Sequence, residues 1–408
     1  MSNEKYNERM TRVMKAVHLE EPDRVPFIPM VGMVYTYGYG IKLLDAMNGD
    51  RRTLESYRNF IRDIEPDRLE APGFMSYEGL EAAQPINMHW PNENDPDAPF
   101  QYTDHCFLET EEAWDEFNRD PGTYLLTKYL PSKYKALEGL KLLNLYGLCG
   151  PVPMGLASAA LPPVKQALLN LIDIGEKFAK SGALRPEFEK IAEEEGMPYK
   201  SGFAMNPFDE FGDSLRGLIN STMDLYENPE RFAESVDKWG AVTIPAAVAM
   251  SKMMGAEVVS VPMHCGVDEF MSPENYDKYY WPPMKKLINA IIDAGMTPFL
   301  ITEGRYDTRL ERLCDVPKGK VIWSFEKVDM KHAKEVLGDT ACISGNLPTS
   351  LLLPGGKKQA VIDATKKLID DCASGGGYIM SCSMPLDNVD IDLVRVWKET
   401  TFEYGKRK

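Results

Sequence analysis

The sequence predicts an α/β protein folded as one (β/α)8 barrel, with an insertion on the face where the strands end. Three observations predict it. The stretch 297–353 reads strand, helix, strand, helix, strand. Apolar runs at 297–304, 321–326 and 340–346 alternate with helical segments around Leu310 and Leu313 and over 329–337. That spacing means parallel strands joined by crossovers. Continued over all 408 residues, the same reading yields eight strands, most of them followed by a helix. Closing eight such units into a barrel is the economical solution. No linker, internal repeat or low-complexity tract divides the chain, and a barrel with insertions accommodates this length as a single unit, 1–408.

The elements follow in order. Residues 4–19 form a helix, with Met10, Val13, Met14 and Val17 on one face. The turn Glu21-Pro-Asp-Arg-Val-Pro26 stops it, and 24–30 is the first strand. The loop 31–40 is rich in Gly, Tyr and Met. It reads either as an aromatic lid over the core or as a pocket wall for an apolar or aromatic substrate, with Met33, Tyr35 and Tyr37 as the wall. A helix over 54–64 precedes the second strand, 66–71. The Pro- and Asn-rich stretch 84–103 is an irregular excursion, and 110–118 and 130–137 are helical. The third strand is placed at 142–148, ending at Cys149-Gly-Pro151. Residues 152–215 fit the repeat poorly and read as the insertion, with helices at 164–180 and 186–195 and a long loop over 197–211. Helices at 213–225, 229–236 and 239–254 lead to the fourth strand, 256–263. A helix over 276–294, interrupted at Pro282-Pro283, leads to strands five to seven. A helix over 357–373 and the Gly375-Gly-Gly377 run lead to the eighth strand, 378–382, and a last helix spans 388–403.

A net charge of −16 argues against nucleic acid and anionic membranes as partners. Seven singly scattered cysteines do not form a disulfide framework, which points to a reducing cytoplasm. The first residues are polar, with no leader expected, and no apolar run approaches the roughly 18 residues of a membrane span. A homodimer is compatible with all of this.

In a barrel of this kind chemistry sits where the strands end. His264 and Cys265 follow the fourth strand, Glu303 ends the fifth, Cys342 and Asn346 lie on and after the seventh, and Cys382 lies on the eighth. A histidine, an acid and one or two thiols converging on one mouth suit Zn2+, with one coordination position open. Plainer readings stand beside this one. Cys342 reads equally as a small core residue. His264 reads also as a donor to a loop carbonyl. An acid at the end of an apolar strand requires a partner, and Arg305 is the plain one for Glu303. No GxGxxG, GxxxxGK[ST] or GxSxG motif is present, nor the Asp-x-His-x-x-Gly of a corrinoid-binding domain.

The chain resembles the uroporphyrinogen decarboxylase superfamily. The resemblance rests on Glu21-Pro-Asp-Arg-Val-Pro26, Cys149-Gly-Pro151, Met271-Ser-Pro-Glu274 and the stretch 323–352 with its Gly345-Asn-Leu347. It implies a (β/α)8 barrel. Superfamily decarboxylases hold a polycarboxylate with an Arg-rich loop after the first strand; here 31–40 contains no Arg, and the family's Asn-Leu-Asp-Pro becomes Asn346-Leu-Pro-Thr349. Its methyltransferases match better. Their strand-eight Cys falls on Cys382, and their His-x-Cys falls on Ile301-Thr-Glu303, where Glu replaces Cys. A Glu/His/Cys zinc is harder and suits an oxygen substrate.

The resemblance therefore implies a zinc-dependent, cobalamin-dependent O-demethylating methyltransferase. His264, Glu303 and Cys382 are the expected ligands, with Cys342 as substitute, and Glu303 and His264 would serve catalysis. Met33, Tyr35, Tyr37 and Asn346 would bind a methoxy-aromatic substrate. A separate corrinoid protein would dock on the mouth. The alternatives are a decarboxylase, a thiol-directed alkyltransferase, or a non-catalytic barrel that binds a corrinoid or tetrapyrrole. The segment Asn206-Pro-Phe-Asp-Glu-Phe-Gly-Asp-Ser-Leu-Arg216 resembles a trait of family members that do not use coenzyme M, with no role attached to it.

Overall fold

The computed structural model describes residues 2–407. Helix α1 (Ser2–Val17) forms where apolar residues repeat at helical spacing. Its Val13, Ala16 and Val17 close one end of the barrel. They pack on Ile28, Val258, Phe299, Ile322, Cys342 and Ile379, which lie near the beginnings of the strands.

A small antiparallel hairpin, β1 (Met88–His89) with β2 (Gln101–Tyr102), stands apart from the main sheet. Six parallel strands then follow one another in chain order: β3 (Ser201–Phe203), β4 (Val258–Met263), β5 (Thr297–Thr302), β6 (Ile322–Phe325), β7 (Cys342–Gly345) and β8 (Tyr378–Ile379). Two irregular segments complete the ring. Residues 26–32 run parallel to 380–386, with Ile28 N–H donating to Met380 O at 2.9 Å and Met380 N–H to Pro26 O at 2.8 Å. Asp67 N–H donates to Phe27 O at 2.8 Å, and Leu69 N–H to Pro198 O at 3.0 Å. These bonds lead from β8 back to the entry of β3, so eight chain segments surround one interior.

The base of the ring is tied by charge. Asp67, fully buried, accepts from Arg12 Nη1 at 2.7 Å, from Arg24 Nη1 at 2.7 Å and from Phe27 N–H at 2.7 Å. One carboxylate thereby fastens α1 to the first two barrel segments. Among the described residues no helix is long and apolar enough to cross a membrane.

The third strand is not where the sequence suggests. Residues 145–149 are helical, preceded by a 3-10 stretch over Lys135–Leu142, and Leu142 and Tyr146 are 58% and 80% exposed. The run 142–148 has strand-like composition but pairs with no strand among the described residues. The actual third strand is β3, within the expected long loop 197–211. It is three residues long and centred on Gly202. A Cβ there would meet Ser251 Oγ at 2.3 Å, because the helix Pro229–Met253 packs directly against it. The chain between the second and third barrel segments is thus 72–198, longer and earlier than the expected insertion 152–215.

Candidate active site at the barrel mouth

Alternation along the strands decides what reaches the mouth. Val258, Ser260 and Pro262 of β4 line the interior, so the next residue on that face is His264. Phe299 and Ile301 of β5 lead to Glu303, and Ile322 of β6 leads through Ser324 to Glu326. His264, Glu303 and Glu326 therefore rise together.

The mouth histidine is gripped by acids from another element. Helix Pro207–Phe211 and the wider helical turn Gly212–Arg216 that continues it carry Asp209 and Asp213, four residues apart and so on one face. His264 Nε2–H donates to Asp213 Oδ1 at 3.0 Å. Asp209 is fully buried; it accepts from Cys265 N–H at 2.8 Å and from the Tyr280 hydroxyl at 2.6 Å. Burial lowers the His264 pKa, but Asp209, the hydrogen bond to Asp213 and the charge of Glu303 outweigh it and raise it to about 9. The metal-free protein thus holds an imidazolium at neutral pH.

Glu303 stands at the rim. Removal from bulk water raises its pKa; His264 opposes this, and Asp209, Glu326 and Asp213 add to it. The plain partner expected for it is engaged elsewhere: Arg305 Nε donates to Glu269 Oε1 at 2.7 Å. Gly304 turns the chain after Glu303 with a φ of +97°, a conformation that favours glycine. Its N–H donates to Glu326 Oε2 at 2.6 Å and so fixes the second acid.

The other expected residues divide. Cys342 does not reach the mouth: it is buried at the opposite end, in the cluster closed by α1. Cys382 lies near mouth height, paired with Leu347, but on the outward face of its segment. Its Sγ points to Met30 O at 3.6 Å, and burial pushes its thiol up to about 12. Neither thiol joins His264. The donor atoms that do come together, all within 4.8 Å, are those of Asp209, His264 and Cys265. Asn346 ends its strand at the mouth, but its Nδ2 donates to Glu326 O at 3.2 Å and Val328 O at 2.9 Å, which positions the loop after β6. Met33 and Tyr35 are among the residues lining the interior cavity; Tyr37 points to the excursion, its hydroxyl donating to Asp97 O at 3.2 Å.

Beneath the cluster lies a cavity of about 360 Å3. Pro262 and Ile301, one step below His264 and Glu303 on the same strand faces, form its upper wall. Its lining is mainly apolar, with Phe74, Phe203 and Phe299 among the walls. The size suits one small ring compound.

The sequence places Glu326 at a strand end without giving it a role, and it gives none to Asp209 or Asp213. For Asp209 and Asp213 a signal existed: the segment 206–216 places acids at i and i+4 between Phe208 and Phe211, an unusual setting for charge.

Residues 200–399 match the family described as Uroporphyrinogen decarboxylase (URO-D). That match covers the second half of the chain. It contains β3 to β8 and every residue of the mouth cluster. The chain is 25% identical over 157 residues to a uroporphyrinogen decarboxylase of Syntrophotalea carbinolica, covering 38% of this chain and 44% of that one. It is 28% identical over 171 residues to the Geobacter sulfurreducens enzyme, covering 42% and 48%. The matches thus span somewhat under half the length of these relatives. A solved methyltransferase from Methanosarcina mazei superposes with a TM-score of 0.63 at 15% identity, covering 97% of this chain and 98% of that one. That likeness extends a shared fold beyond the matched residues 200–399 to nearly the whole chain.

Proposed function

We propose that the protein is a zinc-dependent methyltransferase that moves a methyl group from a methoxylated aromatic compound to the Co(I) of a separate corrinoid protein. One observation supports this above others: a set of hard donors stands directly over an apolar, ring-sized cavity. His264, Glu303 and Asp209 would hold the metal. They fit a cation, because burial raises both Asp209 and Glu303, neighbouring acids raise Glu303 further, and one imidazole stands among them. Cys265 is a weaker donor, since burial and Asp209 hold its thiol protonated.

Bound zinc would supply Lewis acidity to a departing phenolate. The remaining work belongs to the chain. The cavity holds the ring and excludes water. Tyr280 and Cys265 N–H anchor Asp209, and Asp213 orients the imidazole. Gly304 and Glu326 keep Glu303 at the rim, open to a partner protein approaching the mouth. A polycarboxylate substrate is disfavoured, because the mouth is acidic and the cavity's single Arg lies beside Glu70.

Metal analysis of protein purified without chelators tests the reading. About one zinc per chain is expected, lost in Glu303→Ala, together with methyl transfer from methoxy-aromatics to Co(I) corrinoid protein. Metal-free protein, or zinc unaffected by Glu303→Ala, would remove the zinc assignment.

A further inference from the structure

The interior cavity holds a polar feature that the mouth cluster does not use. Arg68 and Glu70, on the second barrel segment, both face it, in walls otherwise built of residues such as Ile28, Phe299, Ile301 and Ile322. Their roles differ. The Arg68 guanidinium turns to the wall: Nη2 donates to Lys200 O at 3.0 Å and to the Ser201 hydroxyl, and Nε is sealed from solvent. Glu70 is open to the cavity, its side chain 52% exposed. Its Oε1 accepts from Ser260 Oγ at 2.9 Å and lies 3.6 Å from Arg68 Nη1. Among the described residues no side chain or N–H donates to its second oxygen. The Tyr35 hydroxyl, buried and without a partner, belongs to a residue lining the same cavity.

A carboxylate with a free oxygen in an apolar chamber accepts hydrogen bonds and repels anions. We infer that the chamber is the ring-binding subsite and that Glu70, held by Ser260, accepts the hydroxyl of a phenol, so that the ligand class is an uncharged methoxyphenol and not a methoxybenzoate. The inference rests on the methyl-transfer reading above for which ring oxygen faces the mouth. Spacing refines it. Ser260 and His264 are four residues apart on one face, about 13 Å along the strand and about 10 Å along the axis of a barrel of ordinary tilt. Contact distances of about 3 Å at either end leave the span of one aromatic ring.

Calorimetric titration of the full-length protein with 4-methoxyphenol, 1,4-dimethoxybenzene and 4-methoxybenzoate tests this. The phenol should bind at least about tenfold tighter than either of the others. Glu70→Ala should bring phenol and diether within about twofold, and Ser260→Ala should narrow the gap. Thermal melting checks that the variants fold; should Glu70→Ala fail to fold, Glu70→Gln carries the same expectation. Equal binding of diether or benzoate by the unaltered protein, or an unchanged preference in the Glu70 variant, overturns the inference. Protein that discriminates in binding yet transfers no methyl group would refute methyl transfer and leave the phenol subsite standing.

Discussion

Asp209 is the residue on which the mouth hangs, and replacing it separates structure from ligation. It is fully buried and accepts two hydrogen bonds, from Cys265 N–H at 2.8 Å and the Tyr280 hydroxyl at 2.6 Å. In Asp209→Ala both donors lose their acceptor in a site closed to water. An unsatisfied buried donor costs about 1–3 kcal/mol, so the pair sets a loss of about 2–6 kcal/mol. Release of a buried carboxylate, whose pKa burial already raises, offsets part of this and favours the lower half of the range. Asp209→Asn keeps the volume and one acceptor oxygen, so its loss should be about 1–2 kcal/mol. Urea unfolding of metal-free protein reads these values from the midpoint at constant slope. Competition with a chromophoric chelator reads zinc affinity in the same samples, and both variants should fall by about tenfold or more. A loss below about 0.5 kcal/mol in Asp209→Ala, or wild-type zinc affinity in both variants, would refute the reasoning.

Further outcomes follow from other parts of the molecule. Cys342→Ala and Cys382→Ala should leave zinc content at the wild-type level, because neither thiol joins the mouth donors; metal analysis showing loss in either would return that thiol to the ligand set. Asp67→Ala should cost about 3–5 kcal/mol in urea unfolding, since it strips a buried acceptor from Arg24 and Arg12; the lower end applies because Arg12 keeps Asp23. Gly304→Ala should cost about 1 kcal/mol or more for its positive φ, with a new Cβ at 2.9 Å from Val267 Cγ1, and should weaken zinc binding by shifting Glu303. The Asp23 carboxyl is held below its ordinary value of 3.8, first by the hydrogen bond from Arg12. Its stabilisation is complete above that value and lost as pH falls through the lower folded one, so Asp23→Asn should flatten the acid limb of a stability–pH curve.

The sequence by itself determined the parts that rest on local pattern. The runs holding β4 to β7, the amphipathic α1 and the arrival of His264 and Glu303 at strand ends are legible because each depends on near neighbours, on period and on turn residues. The tertiary structure decided the rest, for two physical reasons. One is that side chains alternate. Ile379 faces the interior, so Cys382, three residues on, faces outward; a shift of one residue exchanges the two sides, and composition does not record which applies. The other is that pairing depends on what lies alongside. The run 142–148 has the composition of a strand but pairs with none among the described residues. Ser201-Gly-Phe203 lacks that composition and is a strand because β4 lies beside it and the helix Pro229–Met253 packs on Gly202. The same long-range folding brings Asp209 and Asp213 over His264, 55 and 51 residues further along the chain. Their contact exists only once the chain between β3 and β4 has crossed the barrel's outside.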